Sequence, residues 1–158
     1  ADSIPVGMMV EVPSAVMMID KLVREVDFIS IGTNDLIQYA LAVDRSNKDI
    51  ASLYRASDPA VLRLIDVTLR AAREADVTAT LCGEMSSSPA YTLLLLGLGL
   101  RSMSVAPSAL PEIKQICRQV SLEQCETIAQ RAMEMDSARE IDAYLQEQLR
   151  KVAPELVF

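Results

Sequence analysis

The sequence predicts an α/β fold, half of a (β/α)8 barrel followed by two amphipathic helices. Three observations carry this expectation. Apolar strands alternate with amphipathic helical stretches over residues 6–120. Polar residues fall at the C-terminal ends of at least three successive strands: Glu11, Asn34 with Asp35, and Cys82 with Glu84. No G-x-G-x-x-G or G-x-x-x-x-G-K loop is present. A doubly wound sheet would concentrate its site at one switch point, usually with such a loop. Barrel enzymes build their sites on the rim of strand C-termini. Four strands are too few to close a barrel, which takes about eight. The choice lies between a small doubly wound sheet and a half-barrel, and the polar strand ends favour the half-barrel.

The elements follow in order. Residues 6–12 (Val-Gly-Met-Met-Val-Glu-Val) read as a strand. Ser14 is placed to cap a helix to about Val26, with Val16, Ile19, Leu22 and Val23 on one face. Residues 27–31 form the second strand, and a short helix runs from Leu36 to Val43. Asp58 and Pro59 supply an N-cap and a first helical residue for a helix to about Ala75, with Val61, Leu62, Ile65 and Leu69 inward. Residues 77–82 are the third strand. Ser88-Pro89 repeats the helix start, and Gly97 and Gly99 end that helix. A short fourth strand is expected over 101–106 and a helix over 108–120. Ser121 with Gln124, and Ser137 with Glu140, are capping boxes for terminal helices at about 122–135 and 138–151. The parallel strands require helices on the sheet faces and right-handed crossovers.

Composition narrows the function. At 158 residues one domain is the prior, and 51% hydrophobic residues are ample for a core. No apolar run reaches the roughly 18–20 residues of a membrane helix. A net charge of −7 argues against nucleic acid, which calls for clustered Lys and Arg. Cys82, Cys117 and Cys125 follow no metal-ligand spacing, so a reduced, cytoplasmic setting is expected. Cys117 and Cys125 read as structural, and the eight methionines as core filler. The chain has no histidine, which excludes Ser-His-Asp and Cys-His catalysis and any phosphohistidine within it. Ala1–Pro5 shows neither a signal peptide nor an initiator Met and runs at once into a strand, so a piece of a longer protein is expected.

The chemistry gathers at the strand ends. Glu11 interrupts an apolar strand; alone it reads as a carboxylate paired with a Lys or Arg. Asp35 alone reads as a helix N-cap. Together they are two hard carboxylates at neighbouring strand ends. That suits magnesium, which takes one or two carboxylates and keeps sites for phosphate and water. Gly32, Thr33 and Asn34 place backbone N–H groups at a helix start, a ready anion site. Arg45 adds a planar cationic fork that fits phosphate; its other reading is a surface ion pair with Asp44 or Asp49. Carboxylates, amides and one arginine together point to a magnesium-bound phosphorylated carboxylic acid. Cys82 reads either as packing or as a thiol poised to exchange a proton with carbon. Gly83 lets the backbone turn closely beside it, and Glu84 adds an acid.

Asp27 to Arg45 resembles the C-terminal signature of the phosphoenolpyruvate (PEP)-utilising enzymes. Met9-Val10-Glu11-Val12-Pro13 and Cys82-Gly83-Glu84-Met85 match the flanking motifs. Within that family the chain most resembles the PEP–protein phosphotransferases, enzyme I of the phosphotransferase system. Supporting stretches are Leu41 to Asn47, Ser57 to Ile65 and Leu93 to Leu100. Pyruvate phosphate dikinase and PEP synthase share the signature but differ in these connections. The similarity is strong to about Val120 and weak in the last two helices.

The resemblance implies that the chain is the C-terminal half of a (β/α)8 TIM barrel, strands five to eight. It implies Mg²⁺ on Glu11 and Asp35, PEP held by Asn34, Asp35 and Arg45, and Cys82 protonating the enolate carbon as pyruvate forms. It further implies phosphoryl transfer to a histidine on a separate N-terminal domain, then to a small phosphocarrier protein, and a homodimer. The half-barrel alone is expected to be inactive and not monomeric; its other reading is a non-catalytic association module. Ser86-Ser87-Ser88 departs from the Ala-Gly-Asp more frequent in the family at this turn.

Overall fold

In the computed structural model, which describes residues 4–156, three parallel strands stand in sequential order. They are β1 (Gly7–Val10), β2 (Phe28–Gly32) and β3 (Thr78–Cys82). The register pairs Val10 with Ile31, Ile31 with Leu81, and Gly32 with Cys82. Side chains alternate across a strand. Val10, Ile29, Ile31 and Leu81 therefore share one face, and all four are fully buried. They form one core with Leu36, Leu62, Ile65, Leu93 and Ile116. The other face carries Met9, Phe28, Ser30, Thr78, Thr80 and Cys82. It is open: Met9 is 46% exposed and Phe28 38%.

The expected fourth strand shrinks to one parallel bridge between Leu81 and Met103. Leu81 N–H donates to Ser102 O (3.2 Å) and Ser104 N–H to Leu81 O (2.8 Å). The ladder stops there because side chains take the next backbone groups. The Ser86 hydroxyl donates to Ser104 O, and Ala106 N–H donates to Ser87 Oγ at 3.1 Å. Ser86 and Ser87 thus tie the turn after β3 to this segment.

The helix expected from Ser14 to Val26 is broken. It consists of α1 (Pro13–Met17), α2 (Ile19–Leu22) and a 3₁₀ turn at Val23–Glu25. Val12, not Ser14, takes the N-cap position, because Pro13 already occupies the first helical position. Val16, Ile19 and Val23 remain on the core side across the break at Met18. The next helix, α3 (Thr33–Leu41), starts directly off Gly32, three residues before the expected Leu36.

Helix α4 (Pro59–Glu74) matches expectation. Asp58 accepts from Ala60 N–H at 2.8 Å, and Val61, Leu62, Ile65 and Leu69 are buried. Four helices follow: α5 (Pro89–Gly97), α6 (Leu110–Gln119), α7 (Leu122–Met133) and α8 (Ala138–Val152). The Ser121–Gln124 box is complete. At α8, Ser137 Oγ accepts from Glu140 N–H (3.3 Å) and gives its own proton to the Glu140 carboxylate (3.1 Å).

Two packing expectations need correction. Met85 is buried and Met8, Met103, Met133 and Met135 pack against the core as expected, but Met9, Met17 and Met18 are exposed and fill no core. Cys125 is buried as expected, whereas Cys117 lies on the solvent side of α6. Among the described residues no helix is long and apolar enough to cross a membrane.

Candidate functional site

The C-terminal ends of the three strands are brought side by side by the parallel register, and the predicted polar residues converge there. Glu11 leaves the end of β1 and lies against Gly32 of β2. A Cβ built on Gly32 would come within 2.9 Å of Glu11 Oε2 and 3.0 Å of Met9 Sδ. Asp35 is in the first turn of α3, half-buried, and not at the cap position, which Gly32 holds. Among the described residues neither Glu11 nor Asp35 forms an ion pair. The reading of Glu11 as one half of a surface pair therefore has no partner to support it.

Asn34 is tied on two sides. Its Oδ1 accepts from Glu84 N–H at 3.0 Å, and its backbone carbonyl accepts from the Tyr54 hydroxyl at 3.1 Å. The buried Thr33 hydroxyl donates to Cys82 O at 2.9 Å. The first turn of α3 is thereby stitched to the end of β3. Gly83 makes this possible. Its φ of 113° and ψ of 178° are a conformation almost confined to glycine. A Cβ there would collide with Thr33 Oγ1 and lie 2.9 Å from Asn34 Oδ1.

Cys82 faces the open side of the sheet, away from the packed core. Its Sγ receives the Ser30 hydroxyl (3.7 Å), donates to Ile31 O (3.6 Å) and lies 4.0 Å from Met9 Sδ. The thiol is held on the same rim as the carboxylates.

Arg45 follows α3. Its ion pair is with Glu84, Nη1 to Oε1 at 3.7 Å, and not with Asp44 or Asp49. Asp44 is occupied by Ser46, whose hydroxyl and N–H both donate to it at 2.8 Å. Those bonds hold the Asp44 carboxyl below its ordinary pKa. Burial pushes the Tyr54 phenol up; Arg45 opposes this, and Glu84 and Asp35 add to it. Tyr54 therefore shares the electrostatic environment of Arg45, Glu84 and Asp35.

The donor set fits magnesium. Among the described residues, two hard carboxylates without an ion-pair partner stand at the end of β1 and just past the end of β2, and the lack of a side chain on Gly32 lets the Glu11 carboxylate lie against β2. Among the described residues no cluster of three His, Cys, Asp or Glu gathers. Two carboxylates completed by water and a ligand's oxygens are the magnesium pattern, not that of a closed protein cage.

Sequence reasoning missed Ser30 and Met9 beside the thiol, and Tyr54 behind Asn34. Strand alternation held a signal for the first two, since residues 9, 30, 80 and 82 share one face once the register is known. Tyr54 gave no signal beyond being an aromatic residue in a polar connection.

Residues 1–122 match the family described as PEP-utilising enzyme, PEP-binding domain. The chain belongs to the PEP-utilising enzymes. It is 39% identical over 145 residues to the phosphoenolpyruvate-protein phosphotransferase of Mycoplasma pneumoniae, covering 92% of this chain and 25% of that protein. It is 42% identical over 148 residues to the protein of the same name from Bacillus subtilis, covering 93% and 26%. A multiphosphoryl transfer protein of Escherichia coli is 42% identical over 145 residues, 92% of this chain and 17% of its own length. The chain spans about a quarter of the length of the phosphoenolpyruvate-protein phosphotransferases it matches.

Proposed function

We propose that this chain is the C-terminal half of the barrel domain of a PEP–protein phosphotransferase, strands five to eight. It carries the metal, phosphate and proton-donor residues for transfer from PEP to a histidine outside this chain. The observation that carries the reading is the meeting of Glu11, the Asn34–Asp35 turn and Cys82 at one sheet edge. Arg45 reaches the same turn through Glu84. The half-barrel reading is supported by a sheet buried on one face and open on the other, where a closed barrel has its interior. The same open face and the sparsely paired edge beyond β3 favour self-association, as a homodimer in the full protein.

Glu11 and Asp35 would hold Mg²⁺, which supplies charge neutralisation at the phosphoryl and carboxyl oxygens. Arg45 binds the phosphoryl group through its guanidinium fork. Asn34, whose Oδ1 is committed to Glu84 N–H, presents its NH₂ group to the ligand. Cys82, oriented by Ser30 and Ile31, gives its proton to the methylene carbon as pyruvate forms. The phosphoryl group passes to the histidine and on to the phosphocarrier protein. The isolated chain, lacking the histidine, does not turn over.

Phosphoryl transfer and carbon protonation are separate events, so two variants of the full protein test the assignment. Cys82→Ala should bind PEP with near-normal affinity but turn over at least ~10²-fold more slowly, the low end for a lost general acid. Asp35→Ala should instead weaken metal-dependent PEP binding. Steady-state and single-turnover kinetics separate the two effects. Turnover of Cys82→Ala at the wild-type rate would leave the thiol a packing residue.

A further inference from the structure

We propose that Glu84 is a built-in competitor for Arg45, a specificity residue that holds the guanidinium until a phosphoryl group displaces it. The inference rests on reading Arg45 as the phosphoryl clamp. Four observations support it. First, Glu84 is the ion-pair partner of Arg45, and the nearer acid in sequence, Asp44, is taken up by Ser46. Second, the stem of Glu84 is fixed. Its N–H is bonded to Asn34 Oδ1 at 3.0 Å, and it stands between the constrained Gly83 and the buried Met85. Third, the carboxylate itself is free to move, because the Glu84 side chain is 81% exposed. Fourth, the pair is loose at 3.7 Å, a geometry that yields readily to a better anion.

The charges give the contact its consequence. Glu11 and Asp35 already place two negative charges at this rim, and Arg45 is the cation set against an incoming dianion. With Glu84 on Arg45 that cation is half-spent before substrate arrives. A phosphorylated acid must displace the carboxylate to gain the fork. An acid without a phosphoryl group has no group to do so. Glu84 therefore lowers affinity for PEP and recaptures Arg45 once the phosphoryl group has left.

The test uses the full protein and measures Kd for PEP and for pyruvate, with Glu84→Gln, Arg45→Gln and the double variant. Glu84→Gln should tighten PEP binding about two- to five-fold at low ionic strength, the span an exposed ion pair supports. The gain should shrink as salt is raised, and pyruvate binding should change less. In the Arg45→Gln background, Glu84→Gln should have no effect on PEP. Circular dichroism melts of all variants should coincide, since the pair is exposed. Unchanged or weaker PEP binding in Glu84→Gln, with Arg45→Gln still impaired, would overturn the competitor role and leave the clamp standing. An Arg45→Gln variant with wild-type affinity for PEP would overturn both.

Discussion

Gly83→Ala concentrates the logic of the site in one methyl group. The Gly83 backbone, at φ 113° and ψ 178°, lies where a side chain costs about 1–3 kcal/mol. The new Cβ would collide with Thr33 Oγ1, so the hydroxyl must leave Cys82 O, to which it donates at 2.9 Å. Thr33 is fully buried, so losing this bond adds about 1 kcal/mol. Together the loss should be about 2–4 kcal/mol, a drop in urea midpoint of about 1–2 M for a typical slope. Urea titration of this chain, followed by circular dichroism, measures it. Thr33→Val removes only the hydroxyl bond and should lose about 1 kcal/mol, which separates the two components. A Gly83→Ala midpoint within about 0.2 M of wild type would show that the strand end tolerates a side chain, and the stitched turn would lose its basis. In the full protein the same variant should weaken PEP binding, because the turn carries Glu84 N–H away from Asn34.

Two further outcomes follow from the structure. Tyr91 is pushed up to about 12, chiefly by burial, while it donates to Asp142 Oδ1 at 2.9 Å. Folded protein then keeps the phenol proton that unfolded protein loses from about pH 10. Stability from this group is intact below pH 10 and is lost as pH rises toward 12, and an alkaline ultraviolet titration should lose its latest ionisation, that near pH 12, in Tyr91→Phe. The open sheet face should drive association of this chain at micromolar concentration; light scattering giving a mass near 17.3 kDa would contradict that.

The sequence made visible what local chemistry controls. Asp58-Pro59 sets the start of α4, and Ser121 with Gln124 sets the start of α7, because capping bonds are formed within four residues. Strand positions were legible because each is a short apolar stretch that stops at a glycine or a polar residue, as Phe28–Ile31 does at Gly32. What escaped depends on partners distant in sequence. The fourth strand fades because Ser86 and Ser87, about eighteen residues away, take backbone groups that a ladder would have used. The α1–α2 break at Met18 has no Gly or Pro to announce it, and Val16, Ile19 and Val23 stay buried across it. At the proposed site, Glu11, Asn34, Asp35 and Cys82 stood out by residue type at or just past strand ends, and Arg45 by following the short helix after β2. The partner of Arg45 was not, since Glu84 lies 39 positions further along and is brought beside it by the tertiary fold.

The central claim is that Glu11 and Asp35 together present a divalent cation to PEP. Electron paramagnetic resonance of Mn²⁺ as a magnesium substitute, in the full protein with and without PEP, tests it most directly. One Mn²⁺ per active site, bound more tightly in the presence of PEP, is the expected result. Glu11→Gln and Asp35→Asn should each weaken that binding at least about tenfold, no less than the loss of an outer-shell partner costs. Mn²⁺ held equally well by both variants, or held by one carboxylate and indifferent to the other, would contradict a shared site.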